Sequence, residues 1–570
     1  MRWMMPSVRD LEVVTSTLKR DLHPLVARVL ASRGLATREA VADFLADALT
    51  DLPDPMRMKG MAAAVKRVCG AIRQGEKITL YGDYDVDGVC STSLLKLFLD
   101  GVGAPAQTYI PHRLEEGYGL NRKAIEQISE DGTQLLITLD CGITSVEEIS
   151  LARSRGVDVV IVDHHTVPEV MPPALAILNP HQPGCEYPTR HLCAAGVAFN
   201  LCIAVRKRLR ETGGFGGRDE PNLRELMDLV ALATVADVVP LTGVNRIFVK
   251  HGLRELSEAR RPGIRALKEV AGLPVTGSVS AGLVGFRLGP RINAAGRLND
   301  ASVGLRLLCA RTLDEARPLA QVLDQANADR QQIEQRILNE AFDQAEARPQ
   351  VRGLVLAAEG WHPGVVGIVA SRVVERFHRP AVLIAMNGLQ GRGSARSIEA
   401  FHLFDALSSC SQHLAKFGGH KHAAGVTVDA AYLADFTAAF ERVAAERLCD
   451  EDLVPRCRVD AVVAPSDLDE ASISALEVLG PFGCGNPEPV FVLRRQVAHP
   501  RVLQSKREGA AHHLKLSLEA APHVDTIGFG MADRVRLTEG PVDLAFQASV
   551  DEWNGRRRVQ LKLKDVAASA

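Results

Sequence analysis

Several features that define whole classes of protein are scarce in this chain. Aromatic residues make up only 5% of its 570 residues, so composition predicts no broad stacking surface. No stretch reaches the roughly eighteen consecutive apolar residues of a membrane span, and residues 1–6 lack the apolar core of a signal peptide. The sequence therefore predicts a cytoplasmic protein without a membrane partner.

The chain also has little net charge and no regular cysteine pattern. Its 67 Lys and Arg residues nearly balance 69 Asp and Glu residues, and the formal net charge is −2. An anionic partner must therefore be held by local basic patches. The odd number of cysteines, 11, and the lack of a C-x-x-C pair favour reduced thiols. A zinc site at Cys185 and Cys193, near His181 and His191, is a weaker alternative than ordinary thiols.

Length and pattern divide the chain into five parts, because 570 residues exceed what one hydrophobic core supports. Residues 1–60 predict small helices that cap the next domain. Residues 61–312 alternate strands and helices, which indicates a parallel α/β sheet, and residues 313–348 predict a polar connector helix. Residues 349–450 predict a second α/β domain. Residues 451–570 contain short alternating strands with basic turns, typical of an oligonucleotide-binding β-barrel.

Acidic residues follow the predicted strands of residues 61–312. The strand at 77–81 runs into Gly82-Asp83-Tyr84-Asp85-Val86-Asp87-Gly88, the strand at 134–139 stops at Asp140, and that at 157–162 ends in Asp163-His164-His165. An apolar helix ends at Asp237. Ligands bind beyond the carboxyl ends of parallel strands, so we expect these side chains to lie together. One such acid is often only a helix N-cap, but this set with two histidines predicts a metal centre.

The donors at this sheet edge are carboxylates and imidazoles, which suit Mn²⁺ or Mg²⁺ better than they suit thiolate-bound metals. Acids crowded together repel one another unless cations neutralise them. We therefore expect two divalent ions, as in hydrolases that clamp a phosphoryl oxygen. The predicted reaction is hydrolysis of a phosphoester or a phosphoanhydride, and the cluster alone leaves that choice open.

These four segments resemble, in order, the motifs of the DHH phosphoesterase superfamily. The resemblance implies that His165 contacts the scissile phosphate or assists proton transfer, while Asp163 orients an imidazole. Asp85 and Asp87 would hold different metals with Asp140 between them, so Asp140 is also predicted to be catalytic. The full set of implied ligands is Asp83, Asp85, Asp87, Asp140, His164 and Asp237.

Contacts to DNA phosphates are predicted in further segments. Arg113 follows the second strand and should overhang the site. The arginines of Gly285–Asn299 lie among small residues, where a structural loop between domains is the alternative. Gly391–Ser397 and Phe417–Gly425 place Gly, Ser, Arg and His at predicted loop positions that suit an anion. The predicted contacts are Tyr81, Arg113, Arg291, Arg297, Ser394, Arg396, Gly418, Gly419, His420 and His422.

These last segments resemble the DHH-associated nucleic-acid-binding domain. Leu479–Pro489 and the order of parts from about residue 50 to residue 570 resemble the RecJ family of single-strand-specific exonucleases. The resemblance implies a monomeric Mn²⁺- or Mg²⁺-dependent enzyme that digests single-stranded DNA from its 5′ end in repair and recombination. Its implied partners are single-strand-binding protein and a helicase. The rivals are a DHH phosphodiesterase of short oligonucleotides or cyclic dinucleotides, and a DNA-binding scaffold without metals. The barrel argues against the first rival, and the intact ligands argue against the second.

Overall fold

The structure is a computed structural model that describes residues 1–6, 22–113, 116–117, 119–298, 300–504, 512–553 and 556–569. The chain folds into two compact units. Unit 1 comprises Met1–Arg2, Pro290–Gly304 and Pro318–Arg456, and unit 2 comprises Trp3–Gly289, Leu305–Arg317 and Cys457–Ala570. None of the described helices combines the length and apolar character that a bilayer span requires.

The described helices are α1 (Pro24–Ser32), α2 (Arg38–Leu45), α3 (Met61–Gln74), α4 (Val86–Gly101), α5 (Arg122–Glu130), α6 (Val146–Ser154), α7 (Ala194–Glu211), α8 (Met227–Ala236), α9 (Gly243–Glu258), α10 (Pro262–Val270), α11 (Ala281–Leu283), α12 (Gly289–Leu298), α13 (Ser302–Cys309), α14 (Leu313–Glu346), α15 (Val366–Phe377), α16 (Leu403–Ser408), α17 (Leu433–Arg447) and α18 (Glu470–Ala475). The described strands are β1 (Arg2–Met4), β2 (Ile78–Gly82), β3 (Gln107–Tyr109), β4 (Leu135–Leu139), β5 (Asp158–Val162), β6 (Ala176–Leu178), β7 (Leu354–Glu359), β8 (Ala381–Asn387), β9 (Gln390–Arg396), β10 (Lys416–Gly419), β11 (Ala423–Asp429), β12 (Arg456–Arg458), β13 (Ala461–Val462), β14 (Phe491–Gln496), β15 (Ala498–Leu503), β16 (His513–Leu518), β17 (Asp525–Gly528), β18 (Val542–Trp553) and β19 (Arg556–Ala568).

A parallel sheet in unit 2 carries the acidic motifs, in the strand order β3-β2-β4-β5-β6. Every residue of β2 and β4 is buried, as continuous apolar runs predict for strands covered on both faces. The strand order reverses between β2 and β4, and ligand sites form outside the carboxyl ends of strands at such a point. Register pairs Gly82 with Leu139 and Leu139 with Val162, so the acids that follow these residues emerge together.

Unit 1 contains a second sheet, in the order β10-β11-β9-β8-β7. β7 and β8 are parallel and joined through α15, whereas the other neighbours are antiparallel. The prediction that Gly391–Ser397 and Phe417–Gly425 form loops was wrong over most of their length, because these segments supply β9, β10 and β11. The glycines concealed these strands, since glycine is depleted in strands generally.

The predicted connector helix of residues 313–348 corresponds to α14, Leu313–Glu346, which contributes to a core as well. Ile337, Ala341 and Ala345 are buried in the cluster that includes Leu354 and Leu356 of β7. Their four-residue spacing places them on one face of the helix. The second half of α14 is therefore a core helix of unit 1, which the sparse apolar pattern did not predict.

The C-terminal part of unit 2 forms a third sheet in the order β13-β14-β18-β19-β17-β16-β15. The N-terminal helices pack against it, since Leu25, Val29 and Leu30 of α1 share a core with Phe491 and Phe546. That residues 1–60 cap the next domain stays a prediction. Asp47 pairs with Lys250 of α9, and its carbonyl lies 2.8 Å from His251 Nε2, so contacts are made with that domain as well. A hairpin turn is also predicted at Asn554-Gly555, which lies outside the described residues.

The segment Gly285–Asn299 is helical over its described residues. A π-helical turn, Val284–Leu288, leads into α12. Gly289 lies beside the end of α8, since a Cβ there would be 3.4 Å from Ala236 Cβ. The alternative of a structural loop was therefore wrong.

Candidate metal centre

The structure brings the predicted ligands into three overlapping groups at the edge of the parallel sheet. Within each group the ligand atoms lie within 4.8 Å of one another. Asp140 belongs to two groups and His164 to two, so neighbouring cation sites would share ligands. The groups are Asp83, Asp85 and Asp140; Asp87, His164 and Asp237; and Asp140, His164 and His165.

Buried atoms of this cluster lack hydrogen-bond partners among the described residues. They are Asp83 Oδ1, His164 Nε2 and Asp237 Oδ2. His164 Nε2 lies 3.1 Å from Asp140 Oδ1, without hydrogen-bond geometry, and 3.7 Å from both Asp237 Oδ2 and Asp87 Oδ2. Leaving a buried polar atom unsatisfied costs about 1–3 kcal/mol. Divalent cations would satisfy all three atoms, so the residues present fit the predicted cofactor.

Burial and mutual repulsion raise the pKa values of the crowded acids. Removal from water is the larger cause and neighbouring carboxylates add to it, giving a pKa of about 8 for Asp83, about 7 for Asp87 and about 9 for Asp237. The pKa of Asp140 is raised by the same causes. Burial also lowers the pKa of His164 to about 4, which keeps the imidazole neutral, as a metal ligand must be. The protein alone does not stabilise the charged form of these acids.

Asp87 is fixed by the start of α7. Its carboxylate accepts hydrogen bonds from the backbone N–H groups of Ala194 (2.6 Å) and Ala195 (2.8 Å). A helix N-terminus favours a nearby negative charge, so α7 both orients this carboxylate and opposes its protonation. Sequence reasoning missed these donors because backbone groups leave no motif. The small residues Cys193 to Gly196, which permit close approach, were the available signal.

The first acidic motif combines a cap with a ligand. Asp85 Oδ1 accepts hydrogen bonds from Asp87 N (2.8 Å) and Gly88 N (3.1 Å) at the start of α4. Asp85 therefore performs the N-cap role that was weighed against metal binding, and the same carboxylate belongs to the ligand group with Asp83. A Cβ on Gly88 would lie 2.4 Å from Asp83 O, so only glycine fits there.

Asp163 holds the double histidine in place. It is fully buried, and its carboxylate accepts hydrogen bonds from the backbone N–H groups of Ile143, His164 and His165. His165 Nδ1 lies 2.8 Å from Asp163 Oδ1. Burial alone would lower the pKa of His165, but the bond to Asp163 raises it to about 9. The contact with Asp163 therefore favours the protonated imidazole and holds His165 in one orientation.

Backbone strain marks both sides of the cluster. Asp140 has φ of 65° and Val238, which follows Asp237, has φ of 59°. Few residues other than glycine adopt this left-handed conformation, and a β-branched residue is an outlier there. Such strain persists where the surrounding structure over-determines the backbone, and it is enriched at functional sites.

The predicted DNA contacts in unit 2 have different surroundings. The Arg113 guanidinium lies 4.8 Å from the ring centre of Tyr84, between Asp83 and Asp85 in the sequence, so Arg113 adjoins the metal centre. Tyr81 is fully buried and donates its hydroxyl hydrogen bond to the Gly119 carbonyl (3.0 Å). The prediction that Tyr81 contacts DNA needs correction, because a strand covered on both faces leaves its side chain no access to a ligand.

In unit 1, Ser394 and Arg396 lie beside Gly367 at the N-terminus of α15. Arg396 is largely buried, and its described hydrogen bonds go to Ser394 Oγ (3.1 Å) and the Ala395 carbonyl (2.8 Å). Burial lowers the pKa of Arg396, with no carboxylate raising it. A Cβ on Gly367 would lie 2.9 Å from Ser394 Oγ, so the glycine leaves this space open. We call Gly367, Ser394 and Arg396 the cradle.

The two arginines of α12 differ in their roles. Arg297 Nη1 donates to the Gly364 carbonyl (2.8 Å), just before α15, which brings Arg297 to the cradle. Arg291 Nε lies 2.8 Å from Asp324 Oδ1 of α14, and its side chain is 13% exposed. The ion pair with Asp324 links α12 to α14 within unit 1, and the role of Arg291 as a phosphate contact stays a prediction.

The Gly-Gly-His segment lies beside the cradle. Gly418 and Gly419 end β10, and the turn that follows contains His420 and His422, all exposed. The partial burial of the His420 ring and the nearby His422 and Arg396 lower the pKa of His420, so these three side chains lie near one another. Gly419 has φ of 147°, and a Cβ there would lie 2.4 Å from the Ala423 carbonyl oxygen, so the turn requires glycine.

Asp237→Asn is expected to affect stability in opposite directions with and without metal. Neutralising one acid of a repelling set, at a helix C-terminus, should raise the Tm of the chelated protein by about 1–4 °C. The same change removes a ligand, so the rise in Tm on adding Mn²⁺ should shrink. Calorimetry with chelator and with Mn²⁺ measures both effects, with Asp131→Asn, an exposed acid, as the control. A lower Tm under both conditions would contradict the cluster's electrostatics.

Three known domain families match separate parts of this chain. Residues 77–234 match the DHH family, N-terminal domain; residues 350–446 match the DHHA1 domain; and residues 459–565 match the RecJ OB domain. The predicted parallel α/β domain, second α/β domain and C-terminal OB-type barrel are thereby confirmed.

Relatives that align over nearly the whole of this chain are RecJ proteins. The chain is 38% identical over 572 residues to the single-stranded-DNA-specific exonuclease RecJ of Escherichia coli (strain K12), covering 97% of each. It aligns over 100% of its length with 80% of RecJ from Thermus thermophilus in complex with Mn²⁺, with a TM-score of 0.82 and 32% identity. A Mg²⁺ complex of RecJ from the same organism gives a TM-score of 0.76 and 31% identity, covering 100% of this chain and 79% of that one.

Proposed function

This chain belongs to the RecJ family of single-stranded-DNA-specific exonucleases, and from that premise we propose that it removes nucleotides from the 5′ end of single strands. The metal centre carries the proposal: its acids and imidazoles converge on one sheet edge with orphaned buried atoms. A scaffold that had lost its metals would not retain this arrangement. The expected cofactors are Mn²⁺ or Mg²⁺.

The residues divide into two ligand sets. Asp83 and Asp85 would hold one cation, Asp87, His164 and Asp237 would hold the other, and Asp140 would serve both. When bound, two divalent cations supply a nucleophile at neutral pH and neutralise charge on phosphoryl oxygens. Asp163 keeps His165 protonated and oriented, so His165 can donate a hydrogen bond to the scissile phosphate. Arg113 adds a second cation beside the first ligand set.

The cradle supports the choice of a phosphorylated 5′ end. Arg396 is a largely buried cation without a carboxylate partner among the described residues, and burying an unpaired charge is costly. A terminal phosphate would supply the missing anion, because guanidinium groups bind phosphate oxygens through paired hydrogen bonds. The N-terminus of α15 adds a favourable dipole, and its N-cap residue Val365 offers no side-chain acceptor. Arg297 and His420 would complete this site from α12 and the Gly-Gly-His turn.

One assay tests substrate and polarity together. Single strands labelled at the 5′ or the 3′ end, a blunt duplex and a dinucleotide are each incubated with and without Mn²⁺. We expect Mn²⁺-dependent release of mononucleotides from single strands, with immediate loss of the 5′ label, and little cleavage of the duplex. Immediate loss of the 3′ label would overturn the polarity, and preference for the dinucleotide would favour the phosphodiesterase rival. Binding without cleavage would favour the scaffold.

The partners, location and oligomeric state of the enzyme are proposals suggested by its family. We propose a cytoplasmic monomer that acts in DNA repair and recombination, with single-strand-binding protein and a helicase preparing its substrate. Light scattering of the purified protein measures its molar mass and so tests whether it is a monomer. Adding single-strand-binding protein to the assay above tests whether that protein changes the rate of cleavage.

A further inference from the structure

A buried amide side chain connects two backbone segments beside the group Asp87, His164 and Asp237. One segment leads into the helix start that holds the Asp87 carboxylate, and the other follows Asp237. Asn245, in the first turn of α9, is 1% exposed. Its Nδ2 donates to the His191 carbonyl (2.6 Å) and to the Pro240 carbonyl (3.0 Å). The two N–H groups of one side chain are thus used on two segments far apart in sequence.

Each of these carbonyls lies close in sequence to a predicted ligand or its support. His191 lies three residues before Ala194, whose N–H, with that of Ala195, holds the Asp87 carboxylate. Pro240 lies three residues after Asp237, beyond the strained Val238. Asn245 therefore fixes the start of α7 relative to the loop after α8, and the separation of Asp87 from Asp237 depends on both.

The loop after Asp237 is held from its other side by the C-terminal segment of unit 2. Leu241 N donates to the Cys484 carbonyl (2.8 Å), and a Cβ on Gly485 would lie 2.8 Å from Pro240 Cβ. Arg246, next to Asn245, is also 1% exposed and donates to the Leu479 carbonyl (2.8 Å). Segment 478–486 and Asn245 thus enclose the loop.

We propose that Asn245 is a positioning residue that sets the spacing of Asp87 and Asp237, and hence the affinity of their cation site. It touches neither substrate nor cation. Loss of its two hydrogen bonds would let the loop from Val238 to Pro240 relax its strain, and Asp237 would move with it. This inference rests on the proposed function in one respect: it assumes that Asp87, His164 and Asp237 bind a cation.

The test is a titration of the metal-free protein with Mn²⁺, in which electron paramagnetic resonance measures free Mn²⁺. The variant Asn245→Leu keeps the branched shape and removes both donors. We expect one Mn²⁺ to bind with the wild-type Kd and the other to bind about tenfold more weakly, as for groups that support metal ligands. The control is Asn200→Leu, another 1% exposed asparagine of unit 2, whose Nδ2 donates to Gly196 within α7.

The outcomes separate this inference from the proposed function. Two wild-type affinities in Asn245→Leu, or equal weakening in both leucine variants, would overturn the positioning role. Failure of the wild-type protein to bind Mn²⁺ would instead overturn the metal-dependent function. If Asn245→Leu does not fold, Gly485→Ala presses on Pro240 from the other side and should weaken the same single site. Unchanged binding in that variant would count against the inference.

Discussion

Asp140→Asn is expected to lower kcat on single-stranded DNA by about 10³-fold, equivalent to about 4 kcal/mol of transition-state stabilisation. Asp140 belongs to two of the three ligand groups, so its loss would disturb both cation sites. Divalent cations supply several kcal/mol of charge stabilisation in phosphoryl chemistry, which this variant would forfeit. Asparagine is the suitable replacement because residue 140 has φ of 65°, a conformation that asparagine tolerates.

The measurement is kcat at saturating single strand and saturating Mn²⁺, with circular dichroism to verify folding. The KM should change much less than kcat, since Asp140 is 2% exposed and would not contact the strand beyond the scissile phosphate. Asp131→Asn, which neutralises an exposed acid after α5, should retain wild-type kcat. A loss smaller than tenfold in Asp140→Asn would remove Asp140 from the proposed bridging position.

The clustering of the candidate ligands was predictable because its signal is local. An apolar β-branched run followed at once by Asp140 or Asp163 predicts both the strand and the acid at its end, and parallel strands bring those ends together. The support of those ligands was not predictable. The N–H groups that hold Asp87 belong to Ala194 and Ala195, which lie 107 and 108 residues further along the chain. Backbone N–H groups look alike at every residue in the sequence, so nothing marks these two as donors.

The errors share one physical cause, since local patterns do not specify the partner of a buried face. Tyr81 was expected at the ligand edge, but it lies one residue before the end of β2 and stacks on Tyr109 with ring centres 5.1 Å apart. The apolar face of α1 is evident in sequence, yet its partner is a sheet that begins beyond residue 460. Glycine-rich β9 was predicted as a loop because intrinsic propensity was weighted above packing.

Arg396→Ala is expected to raise the KM for a 5′-phosphorylated single strand by about 100-fold while leaving kcat nearly unchanged. A charged hydrogen bond contributes about 1.5–3 kcal/mol, and paired bonds from a guanidinium lie at the upper end. The effect should be confined to binding, because Arg396 lies in unit 1 and the metal ligands all lie in unit 2. Steady-state kinetics on strands with 5′-phosphate and 5′-hydroxyl ends measure the effect.

Comparing 5′-phosphate with 5′-hydroxyl strands distinguishes a site for the terminal phosphate from a general basic surface. If the cradle binds the terminal phosphate, the wild-type enzyme prefers the phosphorylated strand and Arg396→Ala loses that preference. Arg392→Ala is the matched control, because Arg392 lies on the same face of β9, is exposed, and forms no described ion pair. Its variant should retain the preference for the phosphate. Equal increases in KM for both ends, or a drop in kcat like that of Asp140→Asn, would mean that Arg396 supports the fold or the chemistry rather than recognising the 5′ end.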